Sequence, residues 1–203
     1  MIDPRFAILG ALVTLLGSGA YALDTVRGRT TPNRASWTMW ALAPMVGFAA
    51  QLAQHAGLAA LLTFAVGFGP VLVLLASVAA PGAYLRLSPF DVACGIGSML
   101  ALAAWAATGV GDEAIALSIA SDFLAAVPTI LKSHRQPDTE SASAFIAGAI
   151  GSAITLLSIP ARSFGVATAA FPAYIVADAS LISGLILVGR RRRGVAAGGE
   201  GRA

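Results

Sequence analysis

The chain has 203 residues, of which 57% are hydrophobic and 11% are charged, whereas about a quarter of the residues in an average soluble domain are charged. This composition argues against a water-soluble enzyme and indicates an integral, multi-pass membrane protein. The net charge of +3 is interpreted by position, because basic residues in such a protein report its orientation in the bilayer. We therefore expect no nucleic-acid partner.

About 20 apolar residues in a helix cross the hydrocarbon core of a bilayer. Seven stretches are long enough to be candidates, at residues 6–23, 37–54, 58–78, 90–107, 114–131, 142–159 and 166–188. The connections between them are too short for a soluble catalytic domain, so any activity has to lie within or between the helices. We predict an all-α, polytopic membrane protein with seven transmembrane helices, no enzymatic activity, no cofactor and no metal site.

The first stretch ends at residues 20–22, Ala-Tyr-Ala, which are similar to a signal-peptidase site. Cleavage there would leave Arg27, Arg29 and Arg34 outside the cell, against the preference for basic residues on the inner side. We therefore expect the first stretch to be retained as a helix.

The basic residues predict one orientation. When the first connection is placed in the cytoplasm, only Arg5 and Arg162 of the 13 Lys and Arg residues lie outside. We predict a bacterial inner (plasma) membrane protein with its amino terminus outside and its carboxyl terminus in the cytoplasm. The four arginines at 190–193 either anchor the last helix or contact anionic lipid headgroups.

An internal repeat is found when the sequence is shifted against itself by 105 residues. The aligned pairs are Arg27 and Lys132, Pro32 and Pro137, Asn33 and Asp138, Ser36 and Ser141, and Trp40 and Phe145. In each copy the serine stands where it can cap the next helix. The first three helices then pair with the last three. Because three is odd, the helix between them crosses the membrane once, and the two repeats are parallel.

The repeat divides the chain into four parts. Residues 1–80 form the first three-helix repeat, residues 81–111 the linking helix, residues 112–189 the second three-helix repeat and residues 190–203 a basic cytoplasmic tail. Two such repeats in a 3-1-3 arrangement enclose a central path, which suits alternating access.

Residues 127–143, in the second copy, resemble the PQ-loop signature of the SWEET and PQ-loop (MtN3-like) membrane transporter superfamily. The matching positions are Pro128, Lys132, Arg135, Thr139, Glu140 and Ser143. The resemblance implies a 3-1-3 transporter with its amino terminus outside, over nearly the whole chain.

The chain departs from the family pattern at several positions. Thr129 stands where the signature has Gln, and the first copy has Leu23 and Asp24 in place of the Pro-Gln pair. The sugar-binding members are expected to carry Asn in the third and seventh helices, whereas the only Asn here is Asn33, in a connection. We therefore do not expect a sugar as the substrate.

Two carboxylic acids lie near the middle of apolar stretches, Asp122 in the fifth and Asp178 in the seventh. An ionised carboxylate at this depth costs at least about 2.5 to 3.5 kcal/mol, so we expect both to face the central path. Ser118 shares a helical face with Asp122, and Tyr174 precedes Asp178 by one turn. We predict that these four line a path for substrate or protons. The alternative is that protonated carboxyls bond across helices and only hold the bundle together.

Trp37 and Trp40 open the second stretch and are further candidates for the path, with packing or an interfacial aromatic belt as the alternative. Hinge candidates are the prolines inside apolar stretches, because each removes a backbone hydrogen bond. These are Pro44, Pro70, Pro128 and Pro172. Simple kinks are the alternative. Residues 67–70, Gly-Phe-Gly-Pro, are the strongest candidate for a broken or bent helix.

The function predicted is secondary transport of a small polar solute by alternating access, with protons as candidate coupling ions. The expected partners are the lipid bilayer and the solute, and the sequence leaves a homo-oligomer open. One alternative is a non-transporting seven-helix protein, such as a receptor or an assembly factor. Another is a vitamin-uptake facilitator with an aromatic pocket formed by Trp37, Trp40 and Trp105.

Overall fold

A computed structural model describes residues 2–53, 58–80, 88–108 and 112–200 of the chain. These residues form no strand and seven α-helices: α1 (Phe6–Val26), α2 (Arg34–Ala53), α3 (Leu58–Ala79), α4 (Pro89–Thr108), α5 (Asp112–Arg135), α6 (Ser143–Leu157) and α7 (Val166–Glu200). Two 3-10 turns cover Pro137–Thr139 and Ala161–Ser163. The all-α prediction is confirmed, and each predicted apolar stretch corresponds to one helix.

The last helix is longer than its apolar stretch predicts. α7 continues beyond Val188 to Glu200. Arg190 and Arg193 of this extension donate hydrogen bonds to the connection between α5 and α6. Because these bonds hold the extension in place, most of the predicted 190–203 tail is helical.

Two of the described helices are long and apolar enough to cross a bilayer, α1 and the Thr168–Arg193 part of α7. Shorter apolar helical segments cover Val66–Ala79, Pro89–Leu100 and Ser143–Leu157. The two long helices also expose large apolar side chains, and an exposed apolar surface of this kind suits contact with lipid.

The contacts between helices divide them into two groups with the same internal pattern. In the first group α3 contacts both α1 and α2, and in the second group α7 contacts both α5 and α6. Between the groups, α1 contacts α6 and α2 contacts α5. The remaining helix, α4, contacts α2 and α5. The contact between the groups is therefore formed by their first and second helices.

Small residues allow α1 and α6 to approach closely. A Cβ atom added at Gly17 would lie 2.1 Å from the Cβ of Ala147, and one added at Gly10 would lie 2.6 Å from the carbonyl oxygen of Gly151. Carbon atoms in favourable contact are about 3.5 to 4.0 Å apart. The two backbones therefore require glycine at these positions.

We expect the substitution Gly17→Ala to lower the free energy of unfolding by about 1 to 3 kcal/mol, because the added methyl group overpacks the contact with α6. Gly19→Ala is the matched control on the same helix, since a Cβ there meets nothing within 4 Å. The control is expected to be neutral or to stabilise the helix by up to about 1 kcal/mol. Thermal unfolding of both variants in detergent measures the difference, and equal stabilities would contradict the close contact.

The cap of α2 is Asn33 and not the predicted Ser36. The Oδ1 atom of Asn33 accepts hydrogen bonds from the backbone N–H groups of Ala35 at 3.0 Å and of Ser36 at 3.3 Å. The prediction for Ser36 was wrong because the helix begins two residues before it. In the second copy the N-cap residue of α6 is Ala142, which has no side-chain cap hydrogen bond. Ser141 stands one residue before it and accepts a hydrogen bond of 3.5 Å from the backbone N–H of Ser143, so the prediction for Ser141 was also wrong.

The predicted break in the third helix is not found, since α3 is continuous from Leu58 to Ala79. A Cβ at Gly67 would lie 3.0 Å from the Cβ of Pro44, and one at Gly69 would lie 2.6 Å from the Oγ of Ser18. These glycines therefore let α3 pack closely against α2 and α1. All four hinge candidates, Pro44, Pro70, Pro128 and Pro172, lie inside continuous helices.

Candidate functional site

Asp122 and Asp178 lie on two helices that pack against each other, α5 and α7. The Tyr174 hydroxyl donates a hydrogen bond of 2.8 Å to Oδ2 of Asp122, and Tyr174 lies one helical turn before Asp178 on α7. The two carboxyl groups are close enough to interact electrostatically. Within the described part of the chain, the buried Oδ1 atom of Asp178 has no hydrogen-bond partner. We refer to Asp122 and Asp178 as the carboxylate pair.

A side chain of the first group of helices also reaches this pair. Trp40 of α2 faces the carboxyl of Asp122. The carboxylate pair therefore lies where α2 of the first group meets α5 of the second. This contact places the carboxyl of Asp122 beside the Trp40 side chain.

Trp40 belongs to an aromatic cluster that also contains Tyr21, Trp37 and Phe145. The ring centroids are 4.8 Å apart for Tyr21 and Trp37, 5.2 Å for Trp37 and Trp40, and 6.1 Å for Trp40 and Phe145. These separations are typical of favourable tilted and edge-to-face ring pairs. Trp37 is only 3% exposed, so it packs inside the bundle and not in an interfacial belt.

Tyr21 of the aromatic cluster contacts a buried acid in the connection between α5 and α6. Glu140 is 0% exposed. The Tyr21 hydroxyl donates a hydrogen bond to its Oε2 atom, and the Lys132 ammonium group donates one of 2.6 Å to its Oε1 atom. Lys132 also donates to the backbone carbonyl and the hydroxyl of Thr31. We call Tyr21, Thr31, Lys132 and Glu140 the Glu140 cluster.

The electrostatics of the Glu140 cluster are set by burial and by its partners. Burial raises the pKa of the Glu140 carboxyl, while Lys132, the Tyr21 hydroxyl and Arg190 act in the opposite direction, because burial disfavours a charge and an opposite charge or a hydrogen bond favours it. The buried carboxylate therefore depends on its partners. Removing one member of a buried ion pair leaves an uncompensated charge.

The Glu140 cluster joins the α1–α2 connection to the α5–α6 connection. The backbone N–H of Thr31 donates a hydrogen bond of 2.9 Å to the carbonyl of Thr139. The Ser141 hydroxyl donates one of 2.9 Å to the carboxylate of Asp24, at the end of α1. These contacts, together with the ion pair, hold the two groups of helices together at one end of the bundle.

Two buried hydroxyl groups lie further along α5 than Asp122. Thr129 and Ser133 are both 0% exposed, and within the described residues their hydroxyl oxygens have no hydrogen-bond partner. A buried polar group without a partner costs about 1 to 3 kcal/mol. Thr129 lies seven residues after Asp122 and Ser133 lies four residues after Thr129, so both hydroxyls share the face of α5 that carries Asp122.

The structure brings together most of the predicted path residues. Those that meet are Asp122, Asp178, Tyr174 and Trp40. Trp37 packs against the ring of Trp40. The side chains of Ser118 and Trp105 lie outside the described part of the structure.

The residues of the Glu140 cluster were not predicted to form a site. In the sequence, Tyr21 belongs to the tripeptide similar to a signal-peptidase site, and Glu140 belongs to the loop signature in the connection after the fifth stretch. Two features of the sequence could have indicated this cluster. Glu140 matches a position of the loop signature, and Lys132 is the only lysine in the chain.

Among the described residues, no group of three or more His, Cys, Asp or Glu side chains is arranged to hold a metal ion. Comparison of the chain with protein-family models, with curated proteins and with solved structures gives no match.

Proposed function

We propose that this chain is a secondary transporter of a small polar solute that works by alternating access, with Asp122 and Asp178 taking part in proton coupling. The observation that carries the proposal is the position of the carboxylate pair, with Asp122 beside Trp40 at the contact between the two groups of helices. In alternating access the substrate path runs along such a contact between repeats. The resemblance of residues 127–143 to the PQ-loop signature supports the proposal.

The helix contacts support two repeats related by a two-fold rotation. In each group the third helix contacts the first and the second, and a two-fold rotation would exchange the α1–α6 contact with the α5–α2 contact. Trp40 and Phe145 are equivalent under the shift of 105 residues, and their ring centroids are 6.1 Å apart. Residues close to a two-fold axis contact their own equivalents, so this pair supports an axis that passes between them.

The carboxylate pair supplies the chemistry that proton coupling needs. Carboxylic acids inside a membrane protein commonly belong to proton relays or to ion and substrate pathways. The Tyr174 hydrogen bond holds Asp122 in place, while Asp178 keeps a buried oxygen free of protein partners within the described residues. Asp178 is therefore the proposed proton acceptor, and Asp122 is the proposed substrate-facing acid.

The two clusters give the proposed transporter a closed end. The aromatic cluster fills the contact between the groups, and the Glu140 cluster joins their connections. With the predicted orientation this end faces the cytoplasm. A path to the cytoplasm then opens when the α1–α2 and α5–α6 connections separate.

Proteoliposomes containing a pH-sensitive dye and the purified chain test the proposal. We expect one member of a panel of amino acids, organic cations and small polar metabolites to drive proton movement across the membrane. Asp122→Asn and Asp178→Asn are expected to lose this response, because an amide cannot take up a proton at neutral pH. The control is Asp138→Asn, whose carboxylate is exposed in the α5–α6 connection.

The outcomes separate two parts of the proposal. Transport at the wild-type rate and with the wild-type pH response by both Asn variants would remove the coupling role of the pair. No response to any solute, from a chain that is inserted and folded, would favour a second candidate. That candidate is a non-transporting receptor or assembly factor with the same bundle, and the filled aromatic centre is the observation that favours it.

A further inference from the structure

A groove of about 540 Å³ lies on the outer face of α7, away from the carboxylate pair and the aromatic cluster. Its walls come from α7, from the end of α5 and from the 3-10 turn that follows α5. The lining residues used below are Leu181, Gly184, Leu185, Val188, Arg192 and His134. Neither the carboxylate pair nor the Glu140 cluster contributes to it.

The groove is apolar along its length and basic at one end. Leu181, Leu185, Val188 and Arg192 follow one another at spacings of four, three and four residues, so they share one face of α7. His134 lines the groove as well. The apolar stripe on this face therefore ends at a guanidinium group.

The charge of Arg192, at the basic end of the groove, is not neutralised within the described residues. Asp138 pairs with Arg193 at 3.0 Å, and Arg193 also donates to the carbonyl of Arg135. Arg192 has no such contact among the residues that the structure describes. Its guanidinium is therefore available to an anion.

The length of the groove along α7 matches the hydrocarbon thickness of one leaflet of a bilayer. Eleven residues separate Leu181 from Arg192, which corresponds to about 16 Å at the rise of an α-helix. Half of a hydrocarbon core is about 15 Å thick. An acyl chain that lies against the leucines thus brings a lipid headgroup to the level of Arg192.

Gly184 gives the groove its depth. A Cβ added at Gly184 meets nothing within 4 Å, whereas one added at Gly189 would lie 2.7 Å from the Cγ of Pro137. Gly189 therefore closes one end of the groove against the 3-10 turn. Gly184 leaves open space that a larger side chain would fill without a clash.

We infer that this groove binds an anionic phospholipid of the cytoplasmic leaflet, with an acyl chain along Leu181, Leu185 and Val188 and the phosphate at Arg192. The inference rests on the membrane topology of the proposed function and does not depend on transport. Charge complementarity selects this occupant, because the inner leaflet is anionic and attracts basic residues at the ends of transmembrane helices.

Native mass spectrometry of the purified full chain, with added phosphatidylglycerol or phosphatidylcholine, tests the inference. We expect the wild-type chain to retain phosphatidylglycerol in preference to phosphatidylcholine. Arg192→Gln is expected to weaken this retention about fivefold, the effect of one arginine near an anionic surface. The matched control is Arg191→Gln, in the same basic run and not lining the groove, with less than about a twofold effect.

Gly184→Leu fills the groove and is expected to abolish the preference for phosphatidylglycerol with no loss of thermal stability. Its control is Gly19→Leu on α1, where a Cβ also meets nothing within 4 Å, and which should retain the lipid. Extraction of the chain from membranes with alkaline carbonate tests insertion separately, so a chain that is inserted but does not transport can still pass this test.

Any of four results would overturn the inference. One is equal retention of the two lipids, and another is unchanged retention in both Arg192→Gln and Gly184→Leu. The third is full displacement of the lipid by soluble glycerol phosphate, which would assign the site to a free phosphate. A dimer that Gly184→Leu dissociates would instead assign the groove to a second copy of the chain.

Discussion

Replacing Glu140 by alanine is expected to lower the free energy of unfolding by about 3 to 5 kcal/mol. The substitution leaves the ammonium group of Lys132, whose side chain is only 16% exposed, without its counter-charge. It also removes the acceptor of the Tyr21 hydroxyl. Thermal unfolding in detergent, followed by the loss of helical circular dichroism, measures the effect.

A second ion pair nearby provides the matched control. Arg193 and Asp138 are 3.0 Å apart, compared with 2.6 Å for Lys132 and Glu140, and their side chains are 53% and 56% exposed. Asp138→Ala is therefore expected to cost no more than about 1 kcal/mol, as exposed pairs do. The double substitution Lys132→Met with Glu140→Leu should recover much of the stability lost in Glu140→Ala, because an apolar pair needs no compensation. Equal effects of Glu140→Ala and Asp138→Ala would contradict a stabilising role for the cluster.

A disulfide between the α1–α2 and α5–α6 connections is expected to stop the proposed transport almost completely. The backbone of Thr31 donates a hydrogen bond of 2.9 Å to that of Thr139, which brings the two Cα atoms within the range that a disulfide spans. The double substitution Thr31→Cys with Thr139→Cys, made on a Cys94→Ala background, provides the crosslink. Alternating access requires these ends to separate, so oxidation should arrest proton-driven uptake and reduction should restore it.

A crosslink inside the second group of helices is the control for the disulfide. A Cβ at Gly189 would lie 2.9 Å from the Cβ of Pro137, so cysteines at these two positions can also be joined with a small adjustment. This bond does not connect the two groups and should leave transport active. Undiminished transport by the oxidised Thr31 and Thr139 variant would show that the two connections stay together during the cycle.

The sequence predicts the helices well because each is specified locally. An apolar stretch of about 20 residues between polar connections is sufficient to indicate a helix. The end of α7 is the exception, since it depends on bonds from Arg190 to the connection that begins some 50 residues earlier. Contacts of that range leave no periodic signal in the sequence.

The part of the candidate site that has a local signal in the sequence could be predicted. Asp122 and Asp178 are conspicuous because acids are rare in apolar stretches, and the spacing of Tyr174 from Asp178 follows from the helical repeat. Glu140 gives no such signal. Its burial depends on Tyr21, 119 residues away in sequence, and only the packing of α1 against α6 brings the two together.

Lys132 has a further consequence because it is the only lysine in the chain. Its amine is engaged by Glu140 and Thr31, so reagents that acylate amines reach it only when those contacts part. A single acetylated side chain, detected by peptide mass mapping, therefore records how often the two connections separate. The native chain thus carries its own chemical reporter of opening, with no label to be engineered.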